Sequence, residues 1–325
     1  MIGDPLLEDG VLPGTLAGAT WLWRVALHSF VAGTALYAWS RRLELPPGRT
    51  RRLLLAAVLV VPLLTAAAGA ALPGDAADAA WFDSRRVLAL PLAFGLQVAD
   101  LAVAAGVVTA AVALVQEVLP ALLERPRRSG APIPLWLGRE ARSLPGWERC
   151  TVQLVAGRPL LVATGGLPGG RPHLHLSPDV LERLSRDELA AVLRHENAHH
   201  TPRRWWALHL LFAARLLQLA NPVALWVFRG YTLELELACD RDAVARPGSS
   251  PAGDRDPTPD PARALARALL TVYEGTDRRD VAGREALRRR VDALLGRARF
   301  EDRSLPPESL AAAVVVLLLT LPWIV

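Results

Sequence analysis

Long apolar runs constrain this sequence more than any other feature. Residues 18–40, 53–72 and 87–119 carry few charges. Each is long enough to cross a bilayer, because about 20 helical residues span its hydrocarbon core. The third run is too long for one upright helix at about 1.5 Å per residue, which places its predicted span at about 100–119. A mean hydropathy of +0.24 with 21% charged residues fits membrane spans joined to a polar domain.

The arginines predict how these spans are oriented. They cluster at 41–52 and 125–128, after the first and third spans, whereas the N-terminus and the loop 73–86 are acidic. Because basic loops stay on the cytoplasmic side, we expect the N-terminus outside and everything after residue 120 inside. This explains the pI of about 10.1 without nucleic-acid binding. A final apolar run, 308–325, is expected to form a fourth span, with no soluble domain after it.

The clearest chemical motif is an HExxH segment. Residues 185–202 are predicted to form one helix, because a serine followed three residues later by a glutamate makes a capping box at its start. His195 and His199 are four residues apart, so they share a helix face and can bind one metal ion together. Glu196 is expected to act as the general base that takes a proton from the attacking water.

A catalytic zinc site needs a third protein ligand and one open position. Glu236 and Asp240 are also four residues apart and share a helix face. Glu236 is predicted to be the third ligand, and Asp240 to accept the N–H of a ligand imidazole. Glu234 points elsewhere and is expected to be a solvated carboxylate. Cys239 is expected to be a packed thiol, with metal ligation as the alternative.

The apolar stretch 205–228 lies between the two halves of this site. A single transmembrane pass would put Glu236 across the membrane from the histidines, which excludes that topology for a working site. Asn221-Pro222 interrupts the stretch, since proline removes a backbone donor and disfavours helix before it. The sequence therefore predicts a helical hairpin that returns Glu236 to the metal, either within the bilayer or on its surface.

These features together resemble the M56 family of membrane metallopeptidases, the protease parts of antibiotic-sensing receptors of the BlaR/MecR type. The residues that carry the resemblance are His195 to His199, Arg203-Arg204, Asn221-Pro222-Val223 and Glu236 to Asp240. The M48 family is similar more distantly, through HExxH and a later Glu-x-x-x-Asp. The Asn-Pro break, the cysteine before Asp240 and the three preceding spans favour M56.

The resemblance covers roughly residues 20–300 and implies a gluzincin-type zinc peptidase domain. Trp205 stands where M56 receptors often have Asp, so the role of that Asp is not carried over. The sequence ends at Val325 with no penicillin-binding sensor, so β-lactam sensing is not carried over either. Tyr231 is a candidate for stabilising the oxyanion, with ordinary packing as the alternative.

A soluble α/β segment is predicted before the motif. Strands at 150–155 and 159–164 are expected to form a hairpin at Gly157, followed by a strand at 172–176 and a short helix at 178–184. His173 and His175 share one face of the third strand. We interpret them as polar residues of an edge strand near the site, with a metal-binding pair as the alternative.

The remaining segments are a Pro- and Gly-rich linker, 246–262, and two helices at about 262–274 and 284–299. The run Arg288–Arg290 is expected to be a solvated, membrane-facing surface, with contact to anionic lipid or a substrate as the alternative.

The predicted fold is a mainly α, polytopic membrane protein with a gluzincin-type zinc metallopeptidase domain and a small β-sheet between spans 3 and 4. Its predicted segments are three spans in 1–120, the peptidase domain in 121–245 with the hairpin 205–228, the linker 246–262, cytoplasmic helices in 263–304 and a last span in 305–325.

The predicted function is that of a multi-pass cell-membrane zinc endopeptidase with one Zn²⁺ per chain and its active site facing the cytoplasm. By resemblance, its substrate is a cytosolic transcriptional repressor of the BlaI/MecI type, or the chain itself. Three alternatives stay open: an M48-like quality-control protease, a site-2-type intramembrane protease and a catalytically idle signalling scaffold.

Overall fold

The computed structural model describes residues 24–37, 48–71, 89–115, 119, 127–128, 132–156, 161–165, 171–219, 221–245, 260–274 and 281–296. These residues are mainly helical, with one small sheet. The chain divides into two compact units, one of residues 1–123, 210–231 and 303–325, the other of residues 124–209 and 232–302. The predicted last span, the loop 73–86 and most of the linker 246–262 lie outside the described residues.

The first unit is built from apolar helices. It contains α1 (24–37), α2 (Arg49–Ala71), α3 (Val98–Ala113) and parts of α7 (Pro202–Leu217) and α8 (Pro222–Ala245). Within the described residues, a single helical stretch, Arg49–Ala67, is long and apolar enough to cross a membrane. The multi-pass topology stays a prediction. Asp100 has a local role at the start of α3, where its Oδ2 accepts from the backbone N–H of Gln97 at 2.8 Å.

The helix break predicted at 221–222 is confirmed. α7 ends at Leu217 and α8 begins at Pro222. Proline suits a first helical position because its missing N–H would have no partner there. Asn221 caps the new helix, since its Oδ1 accepts from the backbone N–H of Val223 at 3.0 Å. The sequence thus folds locally into two helices with a tight connection.

Buried polar groups hold this connection inside the first unit. Gln218 Nε2 donates to the carbonyl of Leu59 in α2 at 2.7 Å, and Ser29 Oγ in α1 donates to Gln218 Oε1 at 3.3 Å. α1 also approaches α8 closely, because a Cβ added to Gly33 would lie 3.0 Å from Val223 Cγ1. The connection between α7 and α8 therefore packs against two apolar helices.

The second unit contains a four-stranded sheet of order β1-β2-β4-β3. Its strands are β1 (Arg127–Arg128), β2 (Thr151–Ala156), β3 (Leu161–Gly165) and β4 (Pro172–Leu176). β2 runs parallel to β4, while β1 pairs antiparallel with β2 and β3 antiparallel with β4. The hairpin predicted between the strands at 150–155 and 159–164, which correspond to β2 and β3, is wrong, because β4 lies between these two strands in the sheet. β4 has the apolar face that suits a central position: Leu174 and Leu176 are fully buried.

The central position of β4 also corrects the interpretation of its two histidines. Both edges of the strand are paired, so His173 and His175 do not lie on an edge strand. His173 Nδ1 lies 2.6 Å from Thr151 Oγ1 on β2, which gives this imidazole a partner inside the sheet. Among the described residues, the histidines that could hold a metal lie elsewhere.

Among the described residues, the second unit also contains parts of α7 and α8 and five further helices: α4 (Leu135–Ser143), α5 (Pro178–Arg183), α6 (Arg186–His199), α9 (Pro261–Glu274) and α10 (Val281–Leu294). Their apolar faces share one core with β2, β4 and the end of α8. Its fully buried members include Leu137, Leu174, Leu176, Leu193, Leu265 and Ala268. α6, the helix of the HExxH motif, packs against α9 and is thereby fixed on one side.

Candidate metal centre

The helix α6 begins where the sequence predicts. Ser185 Oγ accepts from the backbone N–H of Glu188 at 3.3 Å, and Glu188 Oε2 accepts from the backbone N–H of Ser185 at 2.8 Å. These two bonds satisfy amide groups that a helix start leaves without partners. At the other end, Arg204 Nη1 donates to the carbonyl of Ala198 at 2.9 Å. α6 is therefore held at both ends.

The three predicted ligands come together on this frame. His195 Nε2 and His199 Nε2 are 3.1 Å apart, one helical turn from each other on α6. Glu236, on α8, places Oε2 3.3 Å from His195 Nε2 and Oε1 3.4 Å from His199 Nε2. Within the described part of the chain, they are the cluster of His, Cys, Asp and Glu side chains that could hold a metal ion.

These spacings fit a zinc ion. A tetrahedral zinc with bonds of about 2.0–2.1 Å keeps its ligand atoms about 3.3–3.4 Å apart. The three distances between donor atoms are 3.1, 3.3 and 3.4 Å. Two imidazoles and one carboxylate are also a donor set that catalytic zinc uses, with its fourth position open. His195, His199 and Glu236 could therefore hold the metal without rearrangement of the backbone.

Asp240 fixes the tautomer of His195. Its Oδ1 lies 2.8 Å from His195 Nδ1, and a carboxylate offers only lone pairs, so the proton belongs on Nδ1. The lone pair of a neutral His195 is then on Nε2, which faces the metal site. Burial alone would lower the pKa of His195, but Asp240 and Glu236 outweigh it and raise the pKa to about 9.

Arg290 is a member of this site that the sequence analysis missed. Its Nε and Nη2 donate to Asp240 Oδ2 and Oδ1, both at 2.8 Å, and its Nη1 lies 2.9 Å from Glu236 Oε2. The expectation of a solvated run Arg288–Arg290 is wrong for this residue. Successive helix residues point about 100° apart, so three in a row cannot all face solvent. Arg288 and Arg289 pair instead with Glu285 on the exposed face.

The guanidinium changes the ionisation of both carboxylates. Burial would raise the pKa of Glu236, but His195, His199 and Arg290 hold that pKa well below its usual range. Burial would also raise the pKa of Asp240, and Arg290 and His195 lower it. Both groups are therefore ionised at neutral pH, which a metal ligand and an imidazole acceptor require.

The site opens into a cavity of about 540 Å³. Glu196, His200 and His209 line it with the ligands and Arg290, and Tyr231 is not among its lining residues. Its apolar wall consists of Val192, Leu208, Leu235, Leu265, Ala268, Leu269 and Val272. A peptide segment could thus reach Glu196 and the ligands together.

The predictions for Glu234 and Cys239, which lie beside the site on α8, have different outcomes. Glu234 is buried, with 4% of its surface exposed, so its interpretation as a solvated carboxylate is wrong. From Glu234 to Asp240 this helix has almost no solvated face, because nearly every residue is buried. Cys239 is fully buried and its thiol accepts from Arg204 Nη1 at 3.6 Å, as expected of a packed thiol.

Comparison with known proteins agrees with this geometry. Residues 166–250 match the family model of the BlaR1 peptidase M56, a segment that contains the HExxH helix, the break at Pro222 and the pair Glu236 and Asp240. This segment of the chain is similar to the M56 peptidase family. The matched family is one of peptidases. None of the curated proteins matches the chain. Arg290 lies outside the matched segment.

Proposed function

We propose that this protein is an integral-membrane zinc endopeptidase of the M56 type, with its active site on the cytoplasmic side. The observation that carries the proposal is the spacing of His195 Nε2, His199 Nε2 and the Glu236 carboxylate, 3.1 to 3.4 Å, which suits one tetrahedral zinc ion. The cytoplasmic placement rests on the arginine-rich loops that follow the first and third predicted spans.

Each residue of the site has a separate role in the proposed reaction. His195, His199 and Glu236 would hold the zinc, and Asp240 keeps His195 in the tautomer that faces it. Zinc, when bound, supplies Lewis acidity that polarises the scissile carbonyl and lowers the pKa of water to about 7. Glu196 follows His195 directly on α6 and lines the cavity, so its carboxylate is placed to act as general base.

The proton balance of peptide hydrolysis assigns two tasks to Glu196. Its carboxylate accepts a proton as the water oxygen bonds to the scissile carbon. It then returns this proton to the leaving nitrogen as the C–N bond breaks, which gives a carboxylic acid and an amine. The acid's remaining proton passes to the amine, so the products at neutral pH are a carboxylate and an ammonium group.

The proposed substrate is a cytosolic protein. The resemblance to receptors of the BlaR/MecR type favours a transcriptional repressor of the BlaI/MecI type, or cleavage of the chain itself, as part of signal transduction. Quality control of membrane proteins, as in the M48 family, is the second candidate within the same chemistry. A site-2-type intramembrane protease is disfavoured, because α6 carries Arg186, Asp187, Glu188 and Arg194.

The deciding experiment measures metal content and cleavage on the same preparation. We expect full-length protein in detergent to hold about one zinc per chain and to cleave β-casein, a quenched peptide library or itself. His195→Ala and His199→Ala should each lose both the metal and the cleavage. Zinc retained by both variants would refute the site. A wild-type protein that holds zinc but cleaves none of the three substrates would instead support the idle scaffold.

A further inference from the structure

The strongest unassigned feature is the position of Arg290 between two carboxylates. Its side chain is 15% exposed, whereas that of the adjacent Arg289 is 50% exposed. Its Nε and Nη2 bind both oxygens of Asp240, and its Nη1 binds Glu236 Oε2. Its Nη2 also lies 3.4 Å from His195 Nε2. One planar group therefore contacts three side chains, of which Glu236 and Asp240 lie one helical turn apart on α8.

These contacts fix the orientation of Glu236. Oε2, the oxygen that receives Arg290 Nη1, lies 3.3 Å from His195 Nε2, and Oε1 lies 3.4 Å from His199 Nε2. A glutamate side chain has three rotatable bonds, so without a second anchor it would populate several orientations. Arginine is suited to this task because its donors form a rigid planar fork.

We propose that Arg290 is a positioning residue of the metal centre: its guanidinium holds Glu236 and Asp240 in the orientation that ligation requires. Helix α10 is then part of the site, although it lies beyond the segment that matches the family model. This inference rests on the proposed metal site, and it is independent of whether the chain cleaves peptides.

The test compares zinc affinity in four full-length proteins: wild type, Arg290→Gln, Arg290→Lys and the control Arg289→Gln. We expect Arg290→Gln to weaken zinc binding by about 10- to 100-fold, the usual effect of losing a group that orients a ligand. Arg290→Lys should recover only part of this loss, because an ammonium cannot bind two carboxylates through a fork. Arg289→Gln should bind zinc as wild type does.

Two further measurements separate positioning from general destabilisation. If Arg290 acts through Glu236, the loss in Glu236→Gln/Arg290→Gln should be smaller than the product of the two single losses. Added guanidinium should restore zinc affinity to Arg290→Ala and leave Glu236→Gln unchanged. In the cobalt(II)-loaded protein, the visible spectrum should change in Arg290→Gln and stay unchanged in Arg289→Gln.

The contrary outcomes are equally specific. Zinc affinity in Arg290→Gln that equals or exceeds that of wild type would overturn the proposal, as would strictly multiplicative losses in the double variant. If Arg290→Gln does not fold, Arg290→Lys and the guanidinium rescue of Arg290→Ala still decide it. A wild type that binds zinc through His195 and His199 without proteolysis would remove the proposed peptidase function and leave the role of Arg290 standing.

Discussion

Asp240 lies between two cationic partners. Its Oδ1 is 2.8 Å from His195 Nδ1 and 2.8 Å from Arg290 Nη2. A buried charge is costly unless it is paired, so each member of this group depends on the others. Removing one partner from such a group typically costs about 3–5 kcal/mol, because it leaves an uncompensated charge in the interior. The metal centre should therefore be sensitive to single changes at any of these three positions.

Glu196 and Glu236 should respond differently to removal of their charge. Glu196→Gln should keep zinc and lower the cleavage rate by about 10²–10⁴-fold, since only the general base is lost. Glu236→Gln should lose zinc and activity together, with partial recovery in excess zinc. Metal analysis and a cleavage assay on each variant check this. Glu182→Gln on the exposed surface of α5 is the control. Zinc loss in Glu196→Gln would contradict these roles.

The raised pKa of His195 predicts how zinc affinity depends on pH. With a pKa of about 9 in the metal-free protein, this imidazole is protonated at pH 7, and zinc must displace the proton. Zinc affinity should therefore rise about tenfold per pH unit up to pH 9 and then level off. The stability of the metal-free fold depends on pH in the opposite direction. Protonated His195 stabilises it fully below its ordinary pKa of 6.5, and this contribution disappears as the pH rises through 9.

Zinc titrations at several pH values, with proton release measured in parallel, test this expectation. An affinity that does not change between pH 6.5 and pH 9 would show that His195 is neutral in the metal-free protein.

Five members of this group could be named from the sequence, whereas the sixth, Arg290, could not. His195, Glu196, His199, Glu236 and Asp240 are brought out by local spacing, because helix geometry fixes which residues share a face. Arg290 is 50 residues from its partner Asp240, and an arginine in a charged run carries no local sign of burial. Glu234 was misjudged for a related reason, since burial depends on what packs around α8 and not on the spacing along it.

At the scale of elements, the capping box of α6 contributes to the frame of the site. Ser185→Ala removes the oxygen that accepts from the N–H of Glu188, and such losses cost about 1 kcal/mol. Hydrogen exchange of amides in the first turn of α6 should then be about fivefold faster. Ser185→Asp keeps an acceptor and should exchange like wild type. Equal exchange in wild type and Ser185→Ala would show that the cap is dispensable.

The sheet shows where local patterns stop being informative. Each strand after β1 was predicted close to its observed position. The predicted pairing of β2 with β3 was wrong, because strand order depends on how side chains pack into the core and not on which strands follow each other in the sequence. By contrast, the break at Asn221-Pro222 was predictable, since proline and a capping asparagine act within a few residues.

At the scale of the whole molecule, the membrane topology is the main remaining prediction. A reporter inserted after residue 80 should be outside, and one in the linker 246–262 should be inside, because the arginine-rich loops orient the spans. Alkaline phosphatase and green fluorescent protein fusions at both sites measure this. A linker found outside would contradict the return of α8 to the side of the membrane on which α6 lies.

Both cysteines of the chain are buried, and this has a practical consequence for measuring conformational changes with site-directed labels. Burial raises the pKa of the Cys150 thiol and raises that of Cys239 to about 12, so neither is a thiolate at neutral pH. A maleimide should therefore leave the folded wild type unmodified and react twice after denaturation. The natural sequence already serves as a silent background for spin labels. Glu182→Cys and Arg289→Cys would place one probe on α5 and one on α10, and would record whether zinc changes the distance between them.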